Sequence, residues 1–268
     1  MHDKKTYPSD IQSDLEKFNV TVIRGNERAD FLTKADGVSI PSWPEFMMHD
    51  QVANKYWNHL NEKFASFQFA LSDGKSGKWI AVGNSIPVAW TAAIDDLPDE
   101  GWDWALRSGM EDDLSANMLC ALAIQILPEF RGSGLSSLMV RIMKHIGSEN
   151  GYDRLIAPVR PSKKSDYPLL GMEKYLKWTS RDGRFDPWIR VHERLGARVI
   201  KICPRAMRIQ GRISEWESWT DRSFQSSGQY IIPGALSVIN IDVENDCGNY
   251  VEPNVWMLHK QDSLKQKK

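Results

Sequence analysis

The chain has 268 residues, which is enough for one large domain with insertions or for a domain with a small appendage. It carries 34 basic and 35 acidic residues, and a formal net charge of -1 gives no overall field that would recruit nucleic acid or an anionic membrane. The three cysteines, Cys120, Cys203 and Cys247, are far apart in sequence, which argues against a disulfide framework or a metal site. With a polar N-terminus and no long apolar stretch, the sequence predicts a cytoplasmic protein without signal peptide or membrane anchor. No metal is expected, because no His/Cys/Asp cluster has the spacing of a metal site.

Residues 1–16 and 261–268 are charged and lack an apolar period, which is typical of flexible tails. Residues 19–25 (NVTVIRG) predict a first strand, and apolar residues at helical spacing predict a helix over 50–64. Residues 67–90 then alternate in hydrophobicity around an Asp-Gly turn, which predicts an antiparallel meander.

The most apolar stretch, residues 118–127 (MLCALAIQIL), predicts a central strand covered on both faces. Behind a glycine-rich turn, apolar residues at helical spacing over 135–146 predict an amphipathic helix. Residues 154–159 (RLIAPV) predict the next strand, parallel to the central one. Residues 186–196 (DPWIRVHERLG) predict a second helix with its aspartate as the cap, and the remainder of the chain is rich in strands.

The turn in residues 126–137 (ILPEFRGSGLSS) joins the central strand to a helix. Such a turn gathers unpaired backbone N–H groups and the positive end of a helix dipole, which suits a phosphate or pyrophosphate. The GK[ST] ending of a Walker A loop is missing, and Ser137 stands where a dinucleotide fingerprint requires its third glycine. Two other interpretations of the turn stay open. One is a tight connection that binds no ligand, and the other is the phosphate site of a dinucleotide-dependent oxidoreductase.

The residues of this turn resemble the pyrophosphate motif Q/R-x-x-G-x-G/A of the GNAT superfamily of acyl-CoA-dependent N-acetyltransferases. Arg131, Gly134 and Ser136 occupy its three defined positions, and the serine departs from the family's glycine or alanine. The resemblance covers residues 118–203 and extends to the strands from about residue 19.

A second motif supports the first. The family's later helix commonly reads A-x-x-x-Y-x-x-x-G-F, and WIRVHERLGA is similar to it without a gap. Trp188 stands at the alanine, His192 at the tyrosine and Gly196 at the glycine.

The resemblance implies an α/β (α+β) fold with a mixed central sheet, flanked by helices, that opens like a V between two parallel strands. We expect an acetyltransferase core over 17–210, with insertions near 91–117 and 161–185. Residues 211–260 would form a strand-rich C-terminal extension of the same domain.

The resemblance also implies acetyl-CoA as acyl donor and direct attack of an amine on the thioester. The backbone N–H of Ile126 would stabilise the oxyanion, and His192, at the position of the family's general acid, would supply a proton from its protonated imidazole. Glu111, in the acidic stretch before the central strand, is the candidate general base. The residues expected to bind the cofactor are Ile126, Arg131, Gly132, Ser133, Gly134, Leu135, Ser136 and Trp188.

The two long insertions are interpreted as lids over the acceptor, which favours a small-molecule amine over a folded protein surface, and the acidic run favours a cationic one. A protein-amine acetyltransferase and a non-catalytic acyl-CoA sensor are the alternatives within the family. The sequence is compatible with a homodimer.

Overall fold

The structure is a computed structural model that describes residues 7–39, 43–112 and 114–260. Its helices are α1 (Ser9–Phe18), α2 (Phe31–Ser39), α3 (Gln51–Tyr56), α4 (Leu60–Phe64), α5 (Gly101–Glu111), α6 (Leu135–Glu149), α7 (Met172–Leu176), α8 (Pro187–Arg194) and α9 (Ile213–Thr220). Its strands are β1 (Val20–Arg24), β2 (Phe69–Asp73), β3 (Trp79–Val88), β4 (Met118–Ile126), β5 (Arg154–Val159), β6 (Thr179–Ser180), β7 (Gly183–Arg184), β8 (Arg198–Gly211), β9 (Gly228–Tyr230), β10 (Ile239–Asp242) and β11 (Cys247–Lys260).

Nine of these strands form one mixed sheet in the order β1-β2-β3-β4-β5-β11-β10-β9, with β8 on the other edge of β11. The strands from β1 to β4 are antiparallel neighbours, and only β4 and β5 are parallel. The long strand β11 pairs with β5 and β10 along one edge and with β8 along the other. The C-terminal segment therefore supplies a strand inside the sheet, next to β5.

Helices cover both faces of the sheet. On the first face, which we call the α6 face, α1 and α6 pack over Leu119 and Leu155, and α8 packs over Ala157. On the opposite face, which we call the α5 face, α3, α5 and α9 pack over Cys120 and Ile156, and α2 packs over β2 and β3. The alternation of side chains along a strand accounts for these two cores. The α/β class and the central position of residues 118–127 are confirmed.

The sheet is splayed between its two parallel strands. β4 and β5 pair only at Leu119–Leu155 and Cys120–Ile156, and they separate beyond those residues. A register shift between β3 and β4 adds Leu122 as an extra residue at this point, which is a β-bulge. The predicted V-shaped opening between the two parallel strands is therefore present.

The N-terminal segment differs from its expectation. Residues 9–16 were predicted to be part of a flexible tail, but they belong to α1, which buries Ile11 and Leu15 against α6. Arg141 of α6 forms ion pairs with Asp10 and Asp14. α1 is thus held by a few apolar residues and by ion pairs with a distant helix, which the local hydrophobic pattern of the sequence did not indicate. Residues 1–6 and the expected tail over 261–268 lie outside the described residues.

The helix predicted over 50–64 is interrupted. A 3-10 turn at Trp57–His59 separates α3 from α4, so the segment bends over the sheet instead of running straight. No helix in the described part of the chain is long and apolar enough to cross a membrane.

Both long insertions are packed into the fold. The segment 91–117 contains α5, whose Trp102, Ala105 and Leu106 are buried on the sheet. The segment 161–185 contains α7 and the β6–β7 hairpin, and its Lys164 and Tyr175 are buried. Both segments, which the sequence predicted to be lids, thus have side chains buried against the rest of the fold.

Candidate functional site

The opening between β4 and β5, beyond Cys120 and Ile156, is the candidate site, and we call it the β4–β5 gap. β4 lies in the middle of the sheet, yet beyond Cys120 the side chains of Ala121, Ala123, Ile124 and Ile126 are only partly buried. The separation of the strands leaves this half of β4 without a neighbour on one edge. A central strand with an open edge offers backbone groups to a bound molecule.

The register of β4 shows which backbone groups face the gap. The N–H of Leu127 donates to the carbonyl of Ile80 on β3 at 3.0 Å. Because successive N–H groups of a strand point to opposite edges, the N–H of Ile126 and that of Ile124 point into the gap. The carbonyl of Ile126 accepts the Nε of Arg131 at 2.9 Å. The backbone N–H of Ile126, with that of Ile124 beside it, is therefore directed into the gap.

The glycine turn begins where the gap opens. Gly132 and Gly134 adopt positive φ angles of 77° and 100°, which side-chain-bearing residues rarely take. A Cβ at Gly132 would meet no atom within 4 Å, and one at Gly134 would meet only Phe18 at 3.5 Å. The turn is therefore open towards solvent.

The same turn starts α6. Gly134 is the N-cap of this helix and caps it with no side chain, and Leu135 and Ser136 follow in the first turn. Ser133 donates to the carbonyl of Phe130 at 2.7 Å, which holds the loop in shape. A helix N-terminus with exposed backbone donors and room on its outer side fits the pyrophosphate of an acyl-CoA.

His192 lies on the α6 face, buried between α8 and β11. Its Nδ1 is 2.8 Å from Nε2 of His259, and its own Nε2 has no hydrogen-bond partner among the described residues. Burial, with the neighbouring His259, lowers the pKa of His192 well below its usual value, and burial lowers the pKa of His259 to about 4. The expected protonated imidazole does not fit this environment, because desolvation favours the neutral ring.

Trp188 lies one turn before His192 on α8, and the two rings meet edge to face at 4.4 Å. The next residue, Ile189, packs with Ala157 and Val159 of β5, which form the far wall of the gap. Asp186 fixes this end of the helix as predicted, accepting the N–H groups of Trp188 and Ile189. The α8 residues singled out from the sequence thus stand beside β5.

Glu111 does not lie at the open half of the gap. It ends α5 two residues after Gly109, which is packed on Ile86 of β3, opposite Cys120. Its exposed carboxylate pairs with Lys55 at 3.0 Å and accepts the hydroxyl of Tyr56. Glu111 thus lies at the closed end of the gap, and its carboxylate is already bonded to two side chains. Both facts argue against Glu111 as the general base.

Trp102 contacts the edge of the gap on the α5 face, and a second tryptophan packs on it. The indole N–H of Trp102 donates at 2.9 Å to the carbonyl of Leu122, the bulged residue of β4. Trp57 stacks on Trp102 with ring centroids 5.9 Å apart. The sequence showed these aromatics but gave no way to tell an anchor at the gap from an ordinary core residue.

Two further polar residues, Asn84 and Gln125, were not among the candidates predicted from the sequence. Both lie buried on the α5 face, and both have side-chain atoms without partners among the described residues. Their signal was present in the sequence, since each is a polar residue inside an otherwise apolar strand. No three His, Cys, Asp or Glu side chains of the described segments come together in a way that would hold a metal ion.

Comparisons with known proteins bear on this site. No protein-family model matches the chain. The chain is 30% identical over 247 residues to the arginine N-acetyltransferase avaD of Aspergillus versicolor, covering 81% of this chain and 84% of that protein.

Two solved structures share the fold. One is the loading GNATL domain of CurA from Lyngbya majuscula, with a TM-score of 0.59 and 18% identity over 90% of this chain and 97% of that one. The other is the GphF GNAT-like decarboxylase in complex with isobutyryl-CoA, with a TM-score of 0.52 and 16% identity over 90% and 98% of the two chains. With the splayed sheet and the glycine turn, these similarities show that the chain belongs to the GNAT superfamily of acyl-CoA-dependent N-acetyltransferases, with acetyl-CoA as the acyl donor.

Proposed function

We propose that this enzyme acetylates the amine of a small cationic amino acid, with arginine as the first candidate. The observation that carries the proposal is the β4–β5 gap, which exposes backbone donors of β4 and ends at the glycine turn. The acceptor is suggested by the arginine N-acetyltransferase with which this chain shares 30% identity. The packed walls formed by 91–117 and 161–185 favour a small acceptor over a folded protein.

The reaction needs few groups. The neutral amine of the acceptor attacks the thioester carbonyl, and the carbonyl electrons move to oxygen as the C–N bond forms. Collapse of this intermediate breaks the C–S bond, the amine loses one proton, and the thiolate gains one. Backbone N–H groups that point into the gap, those of Ile124 and Ile126, stabilise the transient negative charge on oxygen.

The donor would be held along β4 and at the start of α6. The backbone of the glycine turn meets the pyrophosphate, and Trp188 lines the side of the gap formed by α8. The residues proposed for this task are those of the sequence analysis, namely Ile126, Arg131, Gly132, Ser133, Gly134, Leu135, Ser136 and Trp188.

His192 remains the proposed proton-transfer residue, but it acts from its neutral form. Its Nδ1 is engaged by His259, which leaves Nε2 as the ring atom able to exchange a proton. The buried histidine pair holds the ring in one orientation, as second-layer partners of catalytic histidines do. In the proposed cycle Nε2 takes the proton that the amine loses and returns it to the departing thiolate, so the ring is neutral again at the end.

The experiment is an acetylation assay in which CoA release is followed with acetyl-CoA and a panel of acceptors. Arginine and ornithine represent small cationic amino acids, and a lysine-containing peptide represents protein amines. Turnover with arginine or ornithine supports the proposal. Turnover with the peptide alone would replace it by a protein acetyltransferase, and a large rise in melting temperature with acetyl-CoA but no turnover with any acceptor would favour a sensor.

The proposal extends to the domain organisation, the cellular compartment and the oligomeric state. The core over 17–210 and the segment 211–260 would act as one catalytic unit, because β11 pairs with β5. The cytoplasm is the proposed compartment, which agrees with the three free thiols of Cys120, Cys203 and Cys247. A homodimer is also proposed, and light scattering of the purified chain tests it by the mass of the particle in solution.

A further inference from the structure

Two buried histidines face each other on the α6 face of the sheet. His192 belongs to α8 and His259 to β11, and the two residues are 2% and 0% exposed. Nδ1 of His192 lies 2.8 Å from Nε2 of His259, which is hydrogen-bond distance. The outer nitrogens, Nε2 of His192 and Nδ1 of His259, have no hydrogen-bond partner among the described residues. The proton between the two rings therefore decides which nitrogen of His192 is left bare.

Both rings are held in their neutral form. Burial lowers the pKa of His192 well below its usual value, and the neighbouring His259 adds to this effect. Burial also lowers the pKa of His259 to about 4, and the positive charge of Lys144 on α6 acts in the same direction. A neutral imidazole carries one N–H and one bare nitrogen, so the two rings can share this hydrogen bond in only two ways.

The two arrangements give His192 opposite chemistry. If Nδ1 of His192 donates to His259, then Nε2 of His192 is bare and can accept a proton. If Nε2 of His259 donates instead, Nδ1 of His192 is the acceptor and Nε2 of His192 carries the proton. The first arrangement makes His192 a base, and the second makes it an acid.

The carbonyl of Leu195 favours the first arrangement. Leu195 caps the C-terminus of α8, where carbonyl groups have no donor within the helix. Its carbonyl raises the pKa of His259, although burial and Lys144 outweigh it, and a carbonyl acts in that direction when a ring N–H points at it. Because Nε2 of His259 faces His192, Nδ1 is the nitrogen that meets this carbonyl. The contact is less regular than a hydrogen bond, but the oxygen still attracts a protonated Nδ1 and repels a bare one.

We infer that His259 is a positioning residue that keeps the proton of His192 on Nδ1, so that Nε2 of His192 is the bare nitrogen that takes the proton of the acceptor's amine. The inference rests on the proposed function, and it adds what sets the protonation of His192 before the amine arrives. It also assigns a use to His259, which lies 67 residues away from His192 in the chain.

The proton movements balance over one reaction. As the amine attacks the thioester, one of its protons passes to Nε2, and His192 becomes an imidazolium with both nitrogens protonated. Its Nδ1–H then donates to the lone pair of His259 in a charge-assisted hydrogen bond, which is stronger than the neutral one. When the C–S bond breaks, Nε2 returns the proton to the thiolate, and both rings are neutral again. His259 thus stabilises the charged form of His192 while that form lasts.

Nitrogen NMR of the histidine side chains tests the position of the proton directly, because bare and protonated ring nitrogens resonate at different frequencies. In the ligand-free wild type at pH 8 we expect a protonated Nδ1 and a bare Nε2 in His192, whose signals are assigned by their loss in His192→Phe. In His259→Phe, which keeps a ring but offers no acceptor, the proton should move at least partly to Nε2. A wild-type His192 protonated on Nε2, or an unchanged proton position in His259→Phe, would overturn the inference.

Activity with a conservative variant gives the second test. His259→Phe should lower kcat at least about tenfold while KM for acetyl-CoA stays within about twofold, because the base loses its starting state and the donor site is untouched. His259→Gln should recover part of the loss, since its side-chain oxygen can accept the Nδ1 proton. The matched control is His145→Phe on α6, where the ring packs beside Tyr7. Equal losses in the two His259 variants, or the same loss in the control, would contradict the inference.

Failure of the inference differs from failure of the proposed function. If the wild type acetylates small amines but its His192 is protonated on Nε2, the inference is wrong and the activity stands. If the NMR spectra show the expected proton position but no small amine is acetylated, the proposed function fails, while the hydrogen bond that holds the Nδ1 proton stands.

Discussion

Asp50 and Asp103 bring two carboxyl groups into contact beneath the surface, at the starts of α3 and α5. Asp50 accepts the Ala53 N–H at 2.8 Å as the cap of α3. Burial, with the negative charge of Asp50, raises the pKa of Asp103 to about 9, and burial raises the pKa of Asp50 as well. Asp103 therefore keeps its proton at neutral pH and donates it to Asp50.

This pair makes stability depend on pH. Because the pKa of Asp103 is higher in the folded state, its contribution is fully present below about pH 4 and is lost as pH rises towards about 9. Asp103→Asn replaces the acid by a neutral amide of the same shape. In urea unfolding at pH 9 we expect the variant to exceed wild type by about 1 kcal/mol or more, with a flatter pH profile. Parallel profiles of the two proteins would show that Asp103 does not retain its proton.

The proposed role of His192 can be tested by replacing this one residue. His192→Ala should lower kcat about a hundredfold or more and leave acetyl-CoA affinity nearly unchanged, since its proposed task is proton transfer. Because burial keeps the ring neutral, the wild-type rate should not fall between pH 7 and 9, where it rises only as the acceptor's amine loses its proton. A rate that falls over this range and recovers in His192→Tyr would restore the imidazolium as the acid.

A structural histidine gives a different pattern. His192→Phe keeps an aromatic ring beside Trp188 and His259, so it serves as the packing control. Stable, fully active Ala and Phe variants would remove His192 from the chemistry. His259→Phe should lower kcat without altering KM for acetyl-CoA if His259 orients the catalytic ring.

Among the secondary-structure elements, α6 has the clearest test, which concerns the pyrophosphate site proposed at its N-terminus. Gly134→Asp places a side chain and a negative charge in the space proposed for the pyrophosphate, so acetyl-CoA should no longer raise the melting temperature. Gly151→Asp is the matched control, since Gly151 follows α6 with a φ of 82° and equally open surroundings. Both variants carry the strain of a side chain at positive φ, about 1–2 kcal/mol. Loss of binding in both would point to that strain instead of the phosphate site.

The start of α8 depends on one carboxylate. Asp186 is buried, caps α8, and also accepts the Lys163 N–H and the Tyr175 hydroxyl, each at 2.8 Å. Asp186→Ala should cost at least about 2 kcal/mol in urea unfolding, because a cap alone is worth about 1 kcal/mol and two more donors lose their partner. Asp186→Asn, which retains a capping oxygen, should lose less. Equal losses would show that the charge, and not the cap, matters.

The sequence predicted β4, α6 and α8 because each has a strong local signal. β4 is a continuous apolar run, α6 has an apolar stripe, and α8 has an Asp-Pro start and a glycine end. α1 escaped prediction because long-range contacts hold it: Ile11 and Leu15 pack against α6, and Arg141, more than 120 residues further along the chain, pairs with Asp10 and Asp14. Local patterns do not contain such contacts.

For the whole molecule, the motifs located the glycine turn and the helix that carries His192, but they could not show the surroundings of either. His259, 67 residues from His192, became visible as its partner only when β11 was placed beside β5. The same holds for Asn84, whose free oxygen depends on how Gln68 is bonded. Sequence motifs thus predict reactive positions, while the hydrogen-bond partners of those positions depend on long-range pairing.

The placement of β11 has a consequence for how the enzyme folds. The antiparallel ladder from β1 to β3 joins segments that are closer in sequence, whereas Val255 of β11 pairs with Val159 of β5, 96 residues away. Contacts between distant segments form slowly because a long loop must close first. We therefore expect the two walls of the gap to form at different times, the β4 wall early and the β5 wall only when β11 docks. Acetyl-CoA binding should return with the slowest refolding phase, and its return in the first phase would show that β5 is ordered without β11.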